Sequence, residues 1–380
     1  MKKRLELVAT GILAINPDPS LWHRWEAFAH PIALSETELV ATYQRGAAMY
    51  AADSRIMVTR SSDGGRTWTD QGWLADGTSG DPAYSYHDAQ LSRMRDGTMV
   101  ALPFRIDRSD PDRSMFSPSG GLLPIESVLF TSHDGGRSWM GPHRFSIQHG
   151  LNLTLASPIL ELADGRWLAI FDRFKSYDDE TPYQPLMLGF LSSDRGMSWS
   201  DPFVVADGAP SGKGYWHGRT IRLHDDRLFT LYWAADMTDQ NRGAVDLTNH
   251  VSIAPADASD WPGPQPTNLP GQTNFPVQLP DGSFAAVYTM REAKHPGTMV
   301  ALSEDGIDWD LEHQVRIWDA TGWTHIGIAL PGKYPNSHDT IAFGAPTLDL
   351  LPDGALYATW WCTYASITHI RWARLRVETT

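Results

Sequence analysis

Four arginines, Arg45, Arg105, Arg173 and Arg291, each close an apolar, β-forming run. A planar guanidinium at such a place suits bidentate binding of a carboxylate or sulfate on a sugar. Three of the 14 histidines, His30, His87 and His217, fall where other apolar runs begin, and imidazole exchanges protons near neutral pH. Arg219 stands beside His217, Asp88 beside His87, Tyr43 beside Arg45, and Tyr288 and Glu292 flank Arg291. Trp216, Trp233, Trp360 and Trp361 offer flat faces to a pyranose ring. This set serves two reactions on carbohydrates. Hydrolysis needs two carboxyl groups flanking the glycosidic bond, and Asp88 is one, with Glu292 in reserve. β-Elimination beside a uronate needs a base, an acid and a cation, a task for His217 with Tyr288 or His87 backed by Arg219 or Arg291. Sugar binding without catalysis is a third reading. No cofactor is expected; a divalent metal on the histidines with Asp88 is a lesser alternative, because nothing in their spacing is diagnostic.

Residues so far apart meet only if the chain repeats. Ser61-Ser62-Asp63-Gly64-Gly65-Arg66-Thr67-Trp68 returns as Ser132 to Trp139 and again as Ser192 to Trp199, with a shorter copy from Ser303 to Trp309. The aspartates Asp63, Asp134, Asp194 and Asp305 are 71, 60 and 111 residues apart, so one copy has decayed, around Asp257 to Trp261. Ser and Asp side chains bond backbone across a tight turn, and the glycines allow positive φ there. A second turn, Asp-Gly at 96, 164, 281 and 353, sits between β-rich runs as hairpin turns do. Each unit reads strand, Asp-Gly turn, strand, loop, strand, box turn, strand. The expectation is one all-β domain over 1–380, a six-bladed β-propeller with blades at about 25–75, 83–147, 152–207, 215–265, 270–320 and 340–378. The N-terminal run 4–10 closes the last blade, leaving few free sheet edges. First-strand starts and second-strand ends then meet around the axis, where the residues above form a pocket. The loops 106–123 and 172–185 wall it.

The four turns resemble the Asp-box, or bacterial neuraminidase repeat, of the sialidase superfamily. The resemblance implies the propeller, a glycoside hydrolase activity and an acid/base aspartate at Asp53, ten residues before Asp63. With Asp88 as nucleophile or base, Asp53 makes the leading carboxylate pair. Other sialidase positions differ here. The motif Phe-Arg-Ile-Pro reads Phe28-Ala29-His30-Pro31, the nucleophilic Tyr register holds Ala345, and its polarising Glu register holds His217. The resemblance therefore implies an exo-acting glycosidase on an acidic sugar, not a true sialidase.

Composition sets the bounds. With 31 Lys+Arg against 45 Asp+Glu, the net charge of −14 excludes the basic face that nucleic acid needs and disfavours an anionic membrane. A 42% hydrophobic share fills a large core, and 20% charge is too little for disorder. The single Cys362 forms no intramolecular disulfide. No apolar run spans a membrane and no export signal is legible, so the expected location is the cytoplasm. The expected partner is a small carbohydrate; the oligomeric state stays open.

Overall fold

The computed structural model describes residues 3–16, 24–145, 150–239, 244–291, 294–321, 341–364 and 367–379. The chain starts with β1 (Lys3–Ala14), β2 (Trp25–Ala33), β3 (Leu39–Gly46), β4 (Arg55–Ser61) and β5 (Thr69–Ala75). β6 (Tyr84–Arg93), β7 (Met99–Asp107), β8 (Ile125–Ser132) and β9 (Met140–Arg144) follow. Then come β10 (Asn152–Leu155), β11 (Leu160–Glu161), β12 (Trp167–Phe174), β13 (Leu186–Ser192) and β14 (Phe203–Asp207). A short 3-10 turn leads to β15 (Lys213–Arg222), β16 (Leu228–Asp236), β17 (Val245–Asp246), β18 (His250–Ala254) and β19 (Gln265–Pro266). β20 (Asn274–Gln278), β21 (Phe284–Met290), β22 (Gly297–Ser303) and β23 (Val315–Asp319) precede the final strands, β24 (Phe343–Leu350), β25 (Leu356–Tyr364) and β26 (Ile367–Thr379). Among the described residues no helix is long and apolar enough to cross a membrane.

The strands pair into an all-β propeller arrangement, but the expected six separate blades are corrected. Four blades stand alone, β6–β9, β10–β14, β15–β19 and β20–β23. The remaining strands form one eight-stranded sheet, β24-β25-β26-β2-β3-β4-β5, with β1 on β26. The cause is the length of β26. Its antiparallel pairing with β1 ends at Ala14 opposite Ile370, and the uncovered start pairs in parallel, Trp25 opposite Thr368. The Thr368 N–H donates to Arg24 O at 3.0 Å.

Burial follows the strand's place in its blade. Second strands are packed on both faces and read as unbroken buried runs, Leu39–Gln44 in β3 and Leu228–Ala235 in β16. Outer strands face water, as all five residues of β9 do. The core lies between neighbouring sheets; Ala285, Val287 and Val300 pack there against Leu356, Ala358 and Leu375.

The repeated turns are held as their residue types dictate. Ser61 Oγ donates to Asp63 at 2.8 Å and accepts the Gly65 N–H at 2.9 Å. Asp63 also accepts the N–H groups of Arg66 and Thr67, at 3.0 and 2.9 Å, and the Thr67 hydroxyl at 2.7 Å. Burial is the largest single influence and opposes ionisation, but these bonds together outweigh it and hold the carboxyl at about 2. The same pattern recurs at Ser132–Asp134–Gly136–Ser138 and Ser192–Asp194–Gly196–Ser198, and in shorter form at Ser303–Asp305–Gly306. The decayed copy keeps a turn, with Asp257 accepting the Ser259 N–H at 3.1 Å and Ala258 at φ 58°.

The first turn also closes the ring. Gly65 O accepts from Trp68 Nε1 at 3.0 Å and from the Tyr357 hydroxyl at 2.7 Å, tying β4 to β25. Gly65 has φ 84°, and a Cβ there would lie 2.6 Å from the Tyr357 ring. Gly65→Ala combines left-handed strain with overpacking and is expected to cost about 2–4 kcal/mol. Thermal unfolding should show Tm falling by several degrees; an unchanged Tm would mean that this turn does not clamp the two strands.

Candidate functional site

Four innermost strands carry the same defect at the same depth. In β2, β6, β15 and β24 the pairing slips between Ala27 and His30, His87 and Gln90, Trp216 and Arg219, and Gly344 and Thr347. At each slip one non-glycine residue takes positive φ: Phe28 at 57°, Asp88 at 43°, His217 at 48° and Ala345 at 40°. Such a conformation costs about 1–3 kcal/mol and persists only where the surroundings enforce it. A bulge re-aims its side chain, and all four residues line one axial pocket of about 120 Å³. The residues that pair with the slipped strands, Gln44, Phe104, Trp233 and Trp361, line it too.

Arg219 sets the electrostatics. It is 7% exposed, and its Nη1 donates to Gln90 Oε1 at 2.7 Å and to Ala156 O at 2.6 Å. Its guanidinium lies over the Phe275 ring, 5.5 Å from the centroid. Burial lowers its pKa, and the negative charges of Asp88 and Asp172 oppose that shift. Burial raises the Asp88 carboxyl, offset partly by Arg219 and by a 3.2 Å bond from Gln90 Nε2. Asp172, 2% exposed, is pushed to about 7 by burial, against the His217 N–H and Arg219 and with the help of Asp88. His217 Nδ1 stands 3.5 Å from Asp172 Oδ2, while its ring stacks on Trp233 at 6.2 Å and 7°. The pocket thus holds a carboxyl, Asp88, and an imidazole backed by a second carboxyl, all within the field of one buried cation.

The sequence candidates divide by strand parity. His87, Asp88, His217, Arg219 and Arg291 line the pocket. His87 is stacked on Phe104 at 5.2 Å, and burial with Arg108 lowers its pKa to about 3, so it is a neutral hydrogen-bonding group. Arg291 Nε donates to Phe343 O at 3.0 Å and its Nη1 to Gln272 at 3.3 Å, in space left by the missing side chain of Gly344. Tyr43, Arg45, Arg105, Arg173 and Tyr288 lie outside the pocket lining, because successive strand residues face opposite sides. Arg45 binds Glu26 and Asp70, with the Tyr43 hydroxyl on Asp70 at 3.0 Å. Arg105 binds Glu126 at 2.6 Å and covers the Tyr84 ring. Tyr288 is buried and donates to Gln314. Trp216, fully buried, supports Trp233 from behind at 5.1 Å. His30 opens on the other axial mouth with Arg222 and Asp349, separated from the first by Arg219 and Phe275. Asp53 Oδ1 accepts the Ala47 N–H at 3.0 Å and fastens the loop 47–53; it does not line the pocket. Glu292 lies outside the described residues.

Two residues at the site received no role from the sequence. Asp172 ends an apolar run beside Arg173, among the strand ends expected at the pocket, and it stands behind His217 outside the pocket lining. Tyr50 enters from the loop that Asp53 fastens; burial and the Asp88 charge raise its pKa, and Arg291 lowers it. The pocket's outer wall comes from the two long loops. Met115, Phe116 and Leu122 meet Phe174 there, and Leu122 N–H donates to Lys175 O at 3.0 Å. Among the described residues no group of three or more His, Cys, Asp or Glu is placed to hold a metal ion.

A family model described as BNR repeat-like domain matches residues 37–321. No curated protein matches the sequence. Solved structures share the fold across nearly the whole chain. A Dyadobacter fermentans protein of unknown function is 16% identical, covering 98% of this chain and 99% of that one, with a TM-score of 0.73. An α-L-arabinanase of Penicillium chrysogenum, solved with arabinobiose, is 12% identical over 97% and 98%, with a TM-score of 0.65. A Hadza microbial sialidase is 13% identical over 93% of this chain and 66% of that one, with a TM-score of 0.61. The resemblance carried by the four box turns therefore holds at the level of repeat and fold.

Removing the shared cation tests the electrostatic account. Arg219→Met leaves Asp88 and Asp172 buried without it, at an expected cost of about 3–5 kcal/mol when both are ionised. Burial pushes the Asp172 carboxyl from the ordinary carboxylate range up to about 7, so its charge, and with it part of the penalty, vanishes as pH falls below about 7. Urea unfolding at pH 8 and pH 5 should show a smaller deficit at pH 5. A deficit equal at both would mean that Arg219 acts by packing alone.

Proposed function

The chain belongs to the BNR repeat-like domain family, and on that premise we propose that it is a glycoside hydrolase acting at the end of a carbohydrate chain. Asp88 and the His217–Asp172 pair are the reacting groups. One observation carries the reading: the Asp88 carboxyl and the His217 imidazole, with Asp172 behind it, stand at one aromatic-walled pocket beside one buried arginine. A group to give a proton and a carboxyl to support the anomeric carbon are what glycosidic cleavage needs. Its small volume, below the roughly 300–1,000 Å³ of ordinary ligand pockets, suits a terminal ring better than a passing chain.

Burial lets Asp172 keep a proton up to about pH 7, but Asp172 is too deeply buried to deliver it itself. His217, about one-third exposed in its side chain, faces the pocket and hands the proton to the glycosidic oxygen as the C–O bond breaks. Ionised Asp88 supports the anomeric carbon, either by attacking it or by drawing a proton from the water that does. Trp233 and Trp361 supply ring faces. β-Elimination on a uronate is the weaker reading, because Arg219 and Arg291 are both engaged by protein partners.

Chromogenic glycosides and oligosaccharides, with released reducing sugar and ultraviolet absorbance followed together, test this. Asp88→Asn and His217→Asn are each expected to lower kcat by about 10²–10⁴-fold. Activity should fall on the alkaline side near pH 7, as Asp172 behind His217 loses its proton, and on the acid side as Asp88 gains one. Asp172→Asn should displace the alkaline limb. Absorbance from an unsaturated uronate would replace hydrolysis with elimination; turnover indifferent to both variants would remove Asp88 and His217 from the chemistry.

A further inference from the structure

The expectation of an acidic substrate rested on arginines, and the structure withdraws most of them. Arg45 and Arg105 are paired with Glu26 and Glu126 outside the pocket, and Arg173 does not line it. Arg219 is bound to Gln90 and Ala156, and Arg291 to Phe343 and Gln272. Two carboxyl groups, Asp88 and Asp172, stand against Arg219. A sugar carboxylate entering here would leave water for a site where Arg219 already faces two carboxyl groups and Arg291 is held by protein acceptors, and such a charge is costly to bury.

The opposite wall is apolar and braced. Phe104, Met115, Leu122 and Phe174 form one buried cluster with Phe116 packed on it. Phe116 meets Tyr50 edge-on at 5.3 Å and Phe174 at 6.2 Å. Leu122, fully buried, is held between the two loops by its N–H on Lys175 and by Asn152 Nδ2 on its carbonyl at 2.8 Å. Phe104, Met115, Phe116, Leu122 and Phe174 give a good surface to a methyl, and the polar groups beside them, Tyr50 and His87, are themselves packed into this wall. The polar side, with Asp88, His217, Thr154 and Thr273, suits ring hydroxyls.

We propose that the pocket takes the glycoside of a 6-deoxy sugar, its methyl against the Phe116 wall and its ring hydroxyls toward Asp88 and His217. The proposal rests on the hydrolase reading and names its substrate class. A pocket of this kind separates compounds differing by one methyl or one hydroxyl by about 10–200-fold, and a carboxylate by more.

Matched aryl glycosides decide it, in the gluco, galacto and manno series and in both anomers: pentoside (where the series has one), 6-deoxyhexoside, hexoside and uronide. In whichever series turns over, the 6-deoxyhexoside should have the highest kcat/KM, by about 10-fold or more over the hexoside. Phe116→Ala should narrow that ratio to a few-fold, while Arg173→Gln leaves it unchanged. A uronide, hexoside or pentoside cleaved as fast or faster would overturn the proposal and leave the hydrolase reading standing. If no glycoside is cleaved, the hydrolase reading fails by itself. Calorimetric titration with the free sugars then settles the pocket: 6-deoxy sugar bound above uronic acid supports the proposal, and the reverse order refutes it.

Discussion

A single guanidinium buried on the axis organises both the ring and its pocket. Arg219 leaves β15, bonds Gln90 of β6 and the carbonyl of Ala156, and lies over Phe275 of β20. Four sheets converge on it. An arginine taken out of water without compensation would cost several kcal/mol, so its neighbours are constrained: the carbonyl must point inward, Gln90 must turn its oxygen to it, and negative charge must lie close. Asp88 and Asp172 supply that charge. The same Gln90 spends its amide on Asp88 and on Leu155 O, so one side chain couples the cation to the carboxyl. The groups given reacting roles are thus also the groups that keep the axis electrically tolerable.

The bulges follow from geometry around that centre. Inner strands converge, and regular alternation would place each side chain against a neighbouring sheet. Slipping the register aims Phe28, Asp88, His217 and Ala345 along the axis at the cost of a positive φ. Interblade packing repays it: Ala27 and Ala29, beside Phe28, are almost wholly buried among Trp25, Trp361 and Trp372. Because the backbone device is independent of the side chain it carries, one position accommodates a phenyl ring, a carboxylate, an imidazole or a methyl without change of fold.

How much was legible in the sequence depended on range. The box turns are local, and Ser61, Asp63 and Gly65 announce their own hydrogen bonds. Counting eight residues back from the five later hairpin turns gives Asp88, Ala156, His217, Thr273 and Ala345, and all but Ala156 line the pocket, because the distance along one strand is fixed. Second strands were harder. Tyr43, Arg45, Arg105, Arg173 and Tyr288 each miss the pocket, since alternate residues of a strand face opposite sides and composition does not say which side is which. Asp53 named the right loop and the wrong residue; it fastens the loop that delivers Tyr50. The blade count failed on strand length, because nothing in residues 367–379 says that their start will pair with Trp25.

The two faces of the ring obey different constraints, and that separation explains how chemistry can drift on a constant scaffold. The box turns sit at the Asp-Gly hairpin end, where Gly64 N–H donates to Thr37 O and Tyr357 clasps Gly65. The reacting groups sit at the other end of the same strands, beyond the septum of Arg219 and Phe275. A change at 345 or 217 alters no hydrogen bond of a box turn, and a box turn reaches the pocket only through the strand between them. The bonds that hold the box turns therefore lie away from the pocket, and positions 345 and 217 can change residue without disturbing them. What the pocket is not free to exchange is charge balance: with Arg219 fixed on the axis, any new occupant of these positions must still leave one buried cation facing compensating carboxyl groups.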